Sequence, residues 1–131
     1  MIDFTLENLT FENCSRAYEI DRSDIPDDFV DDVPTLIATL KFGFENDPQE
    51  VKDKTFYRLV FFVLDKNFRG NGLGKQILEK TIETVYKDFG RYPVVLGVHK
   101  DNEKAFQFYL KNGFVKTAYM DGDDYVMIKN P

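Results

Sequence analysis

The chain has 131 residues, 43% of them hydrophobic, with 23 acidic against 17 basic side chains and a formal net charge of −6. That length fits one globular domain burying roughly two thirds of its unfolded surface, with no room for a second. The negative charge repels nucleic acid and anionic membrane at long range, so neither is an expected partner. Cys14 stands alone, which excludes an intramolecular disulfide and a cysteine-based metal centre. With no signal-like start and no apolar run of about 18 residues, a cytoplasmic protein is expected.

Ile2, Phe4 and Leu6 alternate with polar residues and predict a short half-buried strand. Phe11, Cys14, Ala17 (or Tyr18) and Ile20 (or Asp21) fall three to four apart and predict a helix over about 11 to 20. The segment 19 to 32 then carries Glu19, Asp21, Asp24, Asp27, Asp28, Asp31 and Asp32 against Arg22, with Pro26 as a breaker. Pro34 sits at a helix-start position ahead of Leu36, Ile37, Leu40 and Phe44, which predicts a second helix over 33 to 44. After a polar loop around Pro48, the run "FYRLVFFVL", 56 to 64, reads as a central strand covered on both faces.

Beyond a glycine-containing loop, Leu78, Ile82, Val85 and Phe89 form one apolar helical face, ended by Gly90 with Pro93 following. "VVLGV", 94 to 98, is a second buried strand, so strand, helix and strand predict a right-handed parallel crossover. Asp101 or Asn102 caps a helix over 102 to 112, with Ala105, Phe108, Tyr109 and Asn112 on one face and Gly113 as its terminator. "FVKTAYM" and "YVMIK" are strands joined through the hairpin-type turn "DGDD".

The loop "DKNFRGNGLGKQILEK", 65 to 80, leads from a strand into a helix. First-turn N–H groups lack intrahelical partners, and the helix dipole adds about half a positive charge, so such a loop is an anion site. Two known phosphate loops do not fit. The Walker form requires glycine where Arg69 stands and Ser or Thr where Gln76 stands, and the dinucleotide form read from Gly70 and Gly72 requires glycine at Lys75.

Arg69, Gly72 and Gly74 give R-x-x-G-x-G, and the loop resembles the acetyl-CoA pyrophosphate loop of the GNAT superfamily of N-acyltransferases. About 30 residues on, "NEKAFQFYLKNGF", 102 to 114, is similar to that superfamily's N-x-x-A-x-x-F-Y-x-x-x-G-F helix. The resemblance covers 56 to 129 well and 1 to 45 in outline. It implies an α/β fold: a GNAT-like mixed sheet with a parallel strand-helix-strand core and a C-terminal antiparallel hairpin. It also implies acetyl-CoA as cosubstrate, no metal, and direct acetyl transfer to a primary amine of a small cationic molecule or a protein.

Residue by residue, the resemblance assigns the pyrophosphate to the main-chain N–H groups of Gly70, Asn71, Gly72, Leu73, Gly74 and Lys75, helped by the side chains of Arg69 and Lys75. The pantetheine arm would pair with the backbone at Phe62, Val63 and Leu64, and Asn102 would hydrogen-bond the same arm. Tyr109 holds the family's general-acid position. A tyrosine of pKa about 10 arrives protonated and can donate to a departing thiolate of pKa about 8.5. The competing reading is that Tyr109 only packs with Phe108. The base stays open among His99, Glu19 and the aspartates of 21 to 32.

One departure stands out. Family members carry a two-strand hairpin between the second helix and the central strand, whereas "ENDPQEVKDKT", 45 to 55, is too short and polar for one. An N-terminal hairpin deletion is therefore expected, with part of the acceptor wall gone. The strand edge thus bared suggests self-association as a homodimer. An alternative function follows: a catalytically weak acyl-CoA-binding module acting as a sensor or interaction protein. Both readings bind CoA, but only an enzyme releases it in an amine-dependent way.

Overall fold

A run as uniformly apolar as 94 to 98 has no face to offer to water, so it belongs inside a sheet. In the computed structural model, which describes residues 4–7, 10, 12–21, 23–25, 54–60 and 62–131, strand β2 (Val94–His99) occupies that position. It lies between β1 (Tyr57–Leu59) and β4 (Asp124–Lys129), with β3 (Val115–Asp121) beyond β4. β1 pairs parallel to β2, from Tyr57 opposite Val94 to Leu59 opposite Leu96. β4 pairs antiparallel to β2, from Val94 opposite Lys129 to His99 opposite Asp124. The sheet is mixed, as the resemblance implies.

The chain forms two compact units, Met1–Ile25 with Val63–Gly90, and Pro26–Phe62 with Arg91–Pro131. The second contains the sheet and helix α2 (Glu103–Lys111). Its core is Val95, Val126 and Ile128, with Phe56 and Tyr119 packed against them. Each fully buried aliphatic of this kind contributes roughly 1.5–3 kcal/mol. The hairpin turns at Gly122, whose φ of 58° is the left-handed value a tight turn requires. Along β3 the register against β4 shifts between Lys116 and Met120. Thr117 is buried there, and its hydroxyl donates to the Val126 carbonyl (2.9 Å) while accepting from the Tyr119 N–H (3.1 Å), filling hydrogen bonds the interrupted ladder leaves open.

In the first unit, helix α1 (Leu73–Phe89) buries Leu73, Leu78 and Ile82. It ends where Gly90, at φ 107°, returns its N–H to the Tyr86 carbonyl (3.1 Å). Phe89, expected on the same apolar face, is 71% exposed, because the stripe's burial stops a turn before the helix does.

Three other expectations change. Among the described residues of the apolar run 56 to 64, only Tyr57–Leu59 pair as a strand. The helix expected over 11 to 20 is a 3-10 helix, Cys14–Glu19. Phe4 to Glu7 carry no strand pairing. The helix expected at 33 to 44, most of the acidic segment and the site of the expected hairpin deletion lie outside the described residues. No helix among the described residues is long and apolar enough to cross a membrane.

Candidate active site

The glycine loop is built from its carboxylate upward. Asp65 opens a short 3-10 turn, Lys66–Phe68, and its Oδ1 accepts from the Asn67 backbone N–H (2.9 Å) and side-chain amide (2.8 Å). Its Oδ2 accepts from the Asp21 N–H (2.9 Å). The backbone bonds from Asp21 and Asn67 hold the Asp65 carboxyl below its ordinary value. Asp21 answers from the other side. Its carbonyl accepts the Lys66 N–H (2.9 Å), and its carboxylate takes the Ser23 hydroxyl (2.8 Å) and pairs with Lys66 Nζ (3.2 Å). The Ser23 bonds, then Lys66, lower its pKa as well.

Gly70 and Gly72 follow at φ 90° and 72°, and Gly72 is the N-cap of α1. A Cβ at either would meet nothing within 4 Å, so glycine is required by the left-handed backbone and not by crowding within the protein. The first helical bond is from the Gln76 N–H to the Gly72 carbonyl (3.3 Å). Among the described residues, no acceptor takes the N–H groups of Gly70, Asn71, Gly72, Leu73, Gly74 or Lys75. A row of unsatisfied amides at the positive end of a 17-residue helix suits a phosphate or pyrophosphate.

The two basic side chains of the loop differ. Lys75 is exposed, with Glu79 as a loose ion-pair partner at 3.8 Å. Arg69 is turned inward: its Nε donates to the Leu64 carbonyl (2.7 Å) and its Nη1 pairs with Asp24, while Nη2 is buried with no hydrogen-bond partner among the described residues. The sequence pattern contains Arg69 but gives no sign of its partners, which lie as far as 45 residues away.

Of the other candidate residues, Phe62, Asn102 and Tyr109 belong to the sheet-bearing unit, and Val63 and Leu64 to the first. The β1–β2 ladder ends at Leu59–Leu96, whereas β2 continues against β4 to His99, so the chain leaves its parallel neighbour before Phe62. Phe62 then stacks on Phe108 of α2, centroids 6.0 Å apart and planes 12° from parallel. Phe108 meets Tyr109 edge-on at 5.3 Å, and Tyr109 meets Phe114 at 5.6 Å. Tyr109 is only 8% exposed. Burial pushes its phenol up to about 12, and among the described residues its hydroxyl has no hydrogen-bond partner. Val63 and Leu64, like Phe62, are half-buried and carry no strand pairing.

Asn102 is the N-cap of α2: its Oδ1 accepts from the Ala105 N–H (3.2 Å), and its own N–H donates to the His99 carbonyl (2.8 Å). Its side-chain oxygen is thus committed to the helix, leaving the amide N–H₂ as the group able to reach a ligand. His99 is buried at the end of β2, and its Nδ1 accepts the Asp101 N–H (3.2 Å). That bond occupies the Nδ1 lone pair.

The family model described as "Acetyltransferase (GNAT) family" matches residues 7–114. An N-alpha-acetyltransferase of Saccharolobus solfataricus is 22% identical over 156 residues, spanning 98% of this chain and 93% of that protein. Among solved structures, the crystal structure of PaiA N-acetyltransferase from Thermoplasma acidophilum in complex with coenzyme A is 31% identical. That match has a TM-score of 0.48 and takes in 52% of this chain and 42% of the other.

Proposed function

The chain belongs to the GNAT acetyltransferase family, and on that premise we propose that it moves an acetyl group from acetyl-CoA to a primary amine of a small cationic molecule or a protein terminus. The observation that carries this reading is the row of amides from Gly70 to Lys75, without acceptors among the described residues, at the head of α1. It fits a diphosphate better than a single charge, because several donors in line can serve several oxygens. Lys75 adds an exposed cation at the same helix end. The name of the Saccharolobus relative favours an α-amine as acceptor.

Acetyl-CoA supplies the activated acyl carbonyl and a thiolate leaving group. In the transfer the amine nitrogen bonds to the carbonyl carbon, the carbon–sulfur bond breaks, the nitrogen gives up a proton and the sulfur takes one. The chain's part is to hold both reactants in register and to supply a donor at the sulfur. Tyr109 is that donor. With its phenol pushed up to about 12 it is fully protonated at neutral pH, but it is a weaker acid than the thiol it serves. Its contribution is therefore a hydrogen bond that strengthens as charge gathers on sulfur. Glu19 remains an exposed candidate base, whereas Asp21 and Asp24 are already engaged with the loop. Asp27, Asp28, Asp31 and Asp32 are the acidic residues best suited to select a cationic acceptor.

The burial of Tyr109 among Phe108 and Phe114 favours a second reading, a CoA-binding module with little turnover. A panel of small amines and N-terminal peptides, with thiol detection of released CoA, separates the two. Amine-dependent release supports the enzyme; tight CoA binding without release in any arm of the panel supports the module. Absence of both removes the acetyltransferase reading.

A further inference from the structure

Asp21 and Asp24 appear in the sequence among the candidates for the base, yet in the folded chain they grip the loop that follows Leu64. Three connections link the 21–24 turn to residues 65–69. The backbones exchange hydrogen bonds, with the Lys66 N–H donating to the Asp21 carbonyl and the Asp21 N–H donating to Asp65. Lys66 Nζ bridges Asp21 (3.2 Å) and the Ser23 hydroxyl (2.9 Å). Asp24 pairs with Arg69 Nη1.

The last link is the informative one. The Arg69 side chain is 22% exposed and that of Asp24 50% exposed, so the pair sits where solvent screens it only in part. The guanidinium is also fixed by Nε to the Leu64 carbonyl (2.7 Å), five residues back, which closes the turn that delivers Gly70 and Gly72. A side chain bound at two of its three nitrogens, with the third buried, is a strut and not a free cation.

We infer that Asp24 is a positioning residue for the cofactor loop: through Arg69 it fixes the turn whose amides take the pyrophosphate, and Arg69 supports those amides without itself binding phosphate. This rests on the CoA-binding reading above.

The test is a double-mutant cycle on the full chain, with CoA as the titrant in calorimetry: parent, Asp24→Ala, Arg69→Gln and the double variant. Asp24→Ala should raise the CoA Kd about tenfold, which corresponds to ~1.4 kcal/mol, and Asp24→Glu should restore most of the affinity. Arg69→Gln should weaken binding in the parent yet add little in the Asp24→Ala background, since both changes break the same strut. In turnover, Asp24→Ala should raise the KM for acetyl-CoA and leave the amine KM and kcat near parental values. Unchanged or tighter CoA binding in Asp24→Ala overturns the inference. So does an undiminished Arg69→Gln effect in the Asp24→Ala background, which would make Arg69 a direct phosphate ligand. If the parent itself fails to bind CoA, the functional reading falls and this inference with it; if the parent binds and only the cycle fails, the inference alone is lost.

Discussion

The Phe62 ring lies almost parallel to that of Phe108, 6.0 Å from centroid to centroid. It joins the segment just past the β1–β2 ladder to the helix that bears Tyr109, because Phe108 also meets Tyr109 edge-on. A backbone freed from its strand neighbour is thereby still held in place. That is the condition for an extended ligand arm to pair with it.

Phe108→Ala should therefore affect two quantities. The ring is half-buried, so the stability loss should be about 2 kcal/mol, below the ~3–5 kcal/mol typical of a fully buried phenylalanine. The KM for acetyl-CoA should rise several-fold, because Phe62 loses its stacking partner. Phe108→Leu should recover most of the stability and less of the KM. Urea unfolding beside steady-state kinetics measures both; a stability loss with an unchanged KM would confine Phe108 to packing.

Gly72 and Gly74 separate folding from binding. Gly72 sits at φ 72°, so Gly72→Ala should cost about 1–2 kcal/mol of stability, and the CoA Kd should rise at least tenfold. Gly74 lies within α1 as its second residue, so Gly74→Ala should gain up to about 1 kcal/mol in helix propensity while still weakening CoA binding. A more stable variant that binds CoA less well is the expected signature; unchanged calorimetric affinity in both variants would remove the loop from the site.

Tyr109→Phe should keep CoA binding and lower kcat by roughly 10²-fold. Its pH behaviour follows from burial. The folded pKa, pushed up to about 12, lies above the ordinary 10.0, so the tyrosine's contribution to stability is complete below about pH 10 and is lost as pH rises through about 12. The parent should therefore lose stability relative to Tyr109→Phe between those values. Turnover should rise with amine deprotonation and show no Tyr109-dependent fall below pH 10. Equal kcat in variant and parent would return Tyr109 to the packing role.

The loop's carboxylates set the acid limit. Asp65 and Asp21 both have folded pKa values below their ordinary 3.8, so the stability they contribute is present above that value and is lost as pH falls through the lowered ones. CoA binding should persist as pH falls to the ordinary carboxylate value and fail only as it passes through the lowered ones, which calorimetry across the acid range checks. Asp65→Asn places an amide donor against the Asp21 or Asn67 N–H and should weaken CoA binding already at neutral pH. Binding in Asp65→Asn equal to that of the parent would show that the loop does not depend on this cap.

Much of this protein was legible along the chain, because its signals are local. The apolar spacing of Leu78 and Ile82, the terminators Gly90 and Gly113, the Asn102 cap and the "DGDD" turn each act within a few residues, and the elements formed where they point. The same holds for the glycine loop, where the need for positive φ is written in the residue type. Partnership across distance was decided by the tertiary structure. The run 56 to 64 is equally apolar throughout, so nothing in it marks Leu59 as the last residue to pair with β2; that end depends on where its neighbour runs. Thr117 reads as an ordinary strand residue until the register shift against β4 gives its hydroxyl two backbone partners. Arg69 reads as a free cation of the loop until Asp24 and the Leu64 carbonyl engage two of its three nitrogens. Charge and spacing state what a side chain can bind, and only the folded chain determines which partner reaches it first.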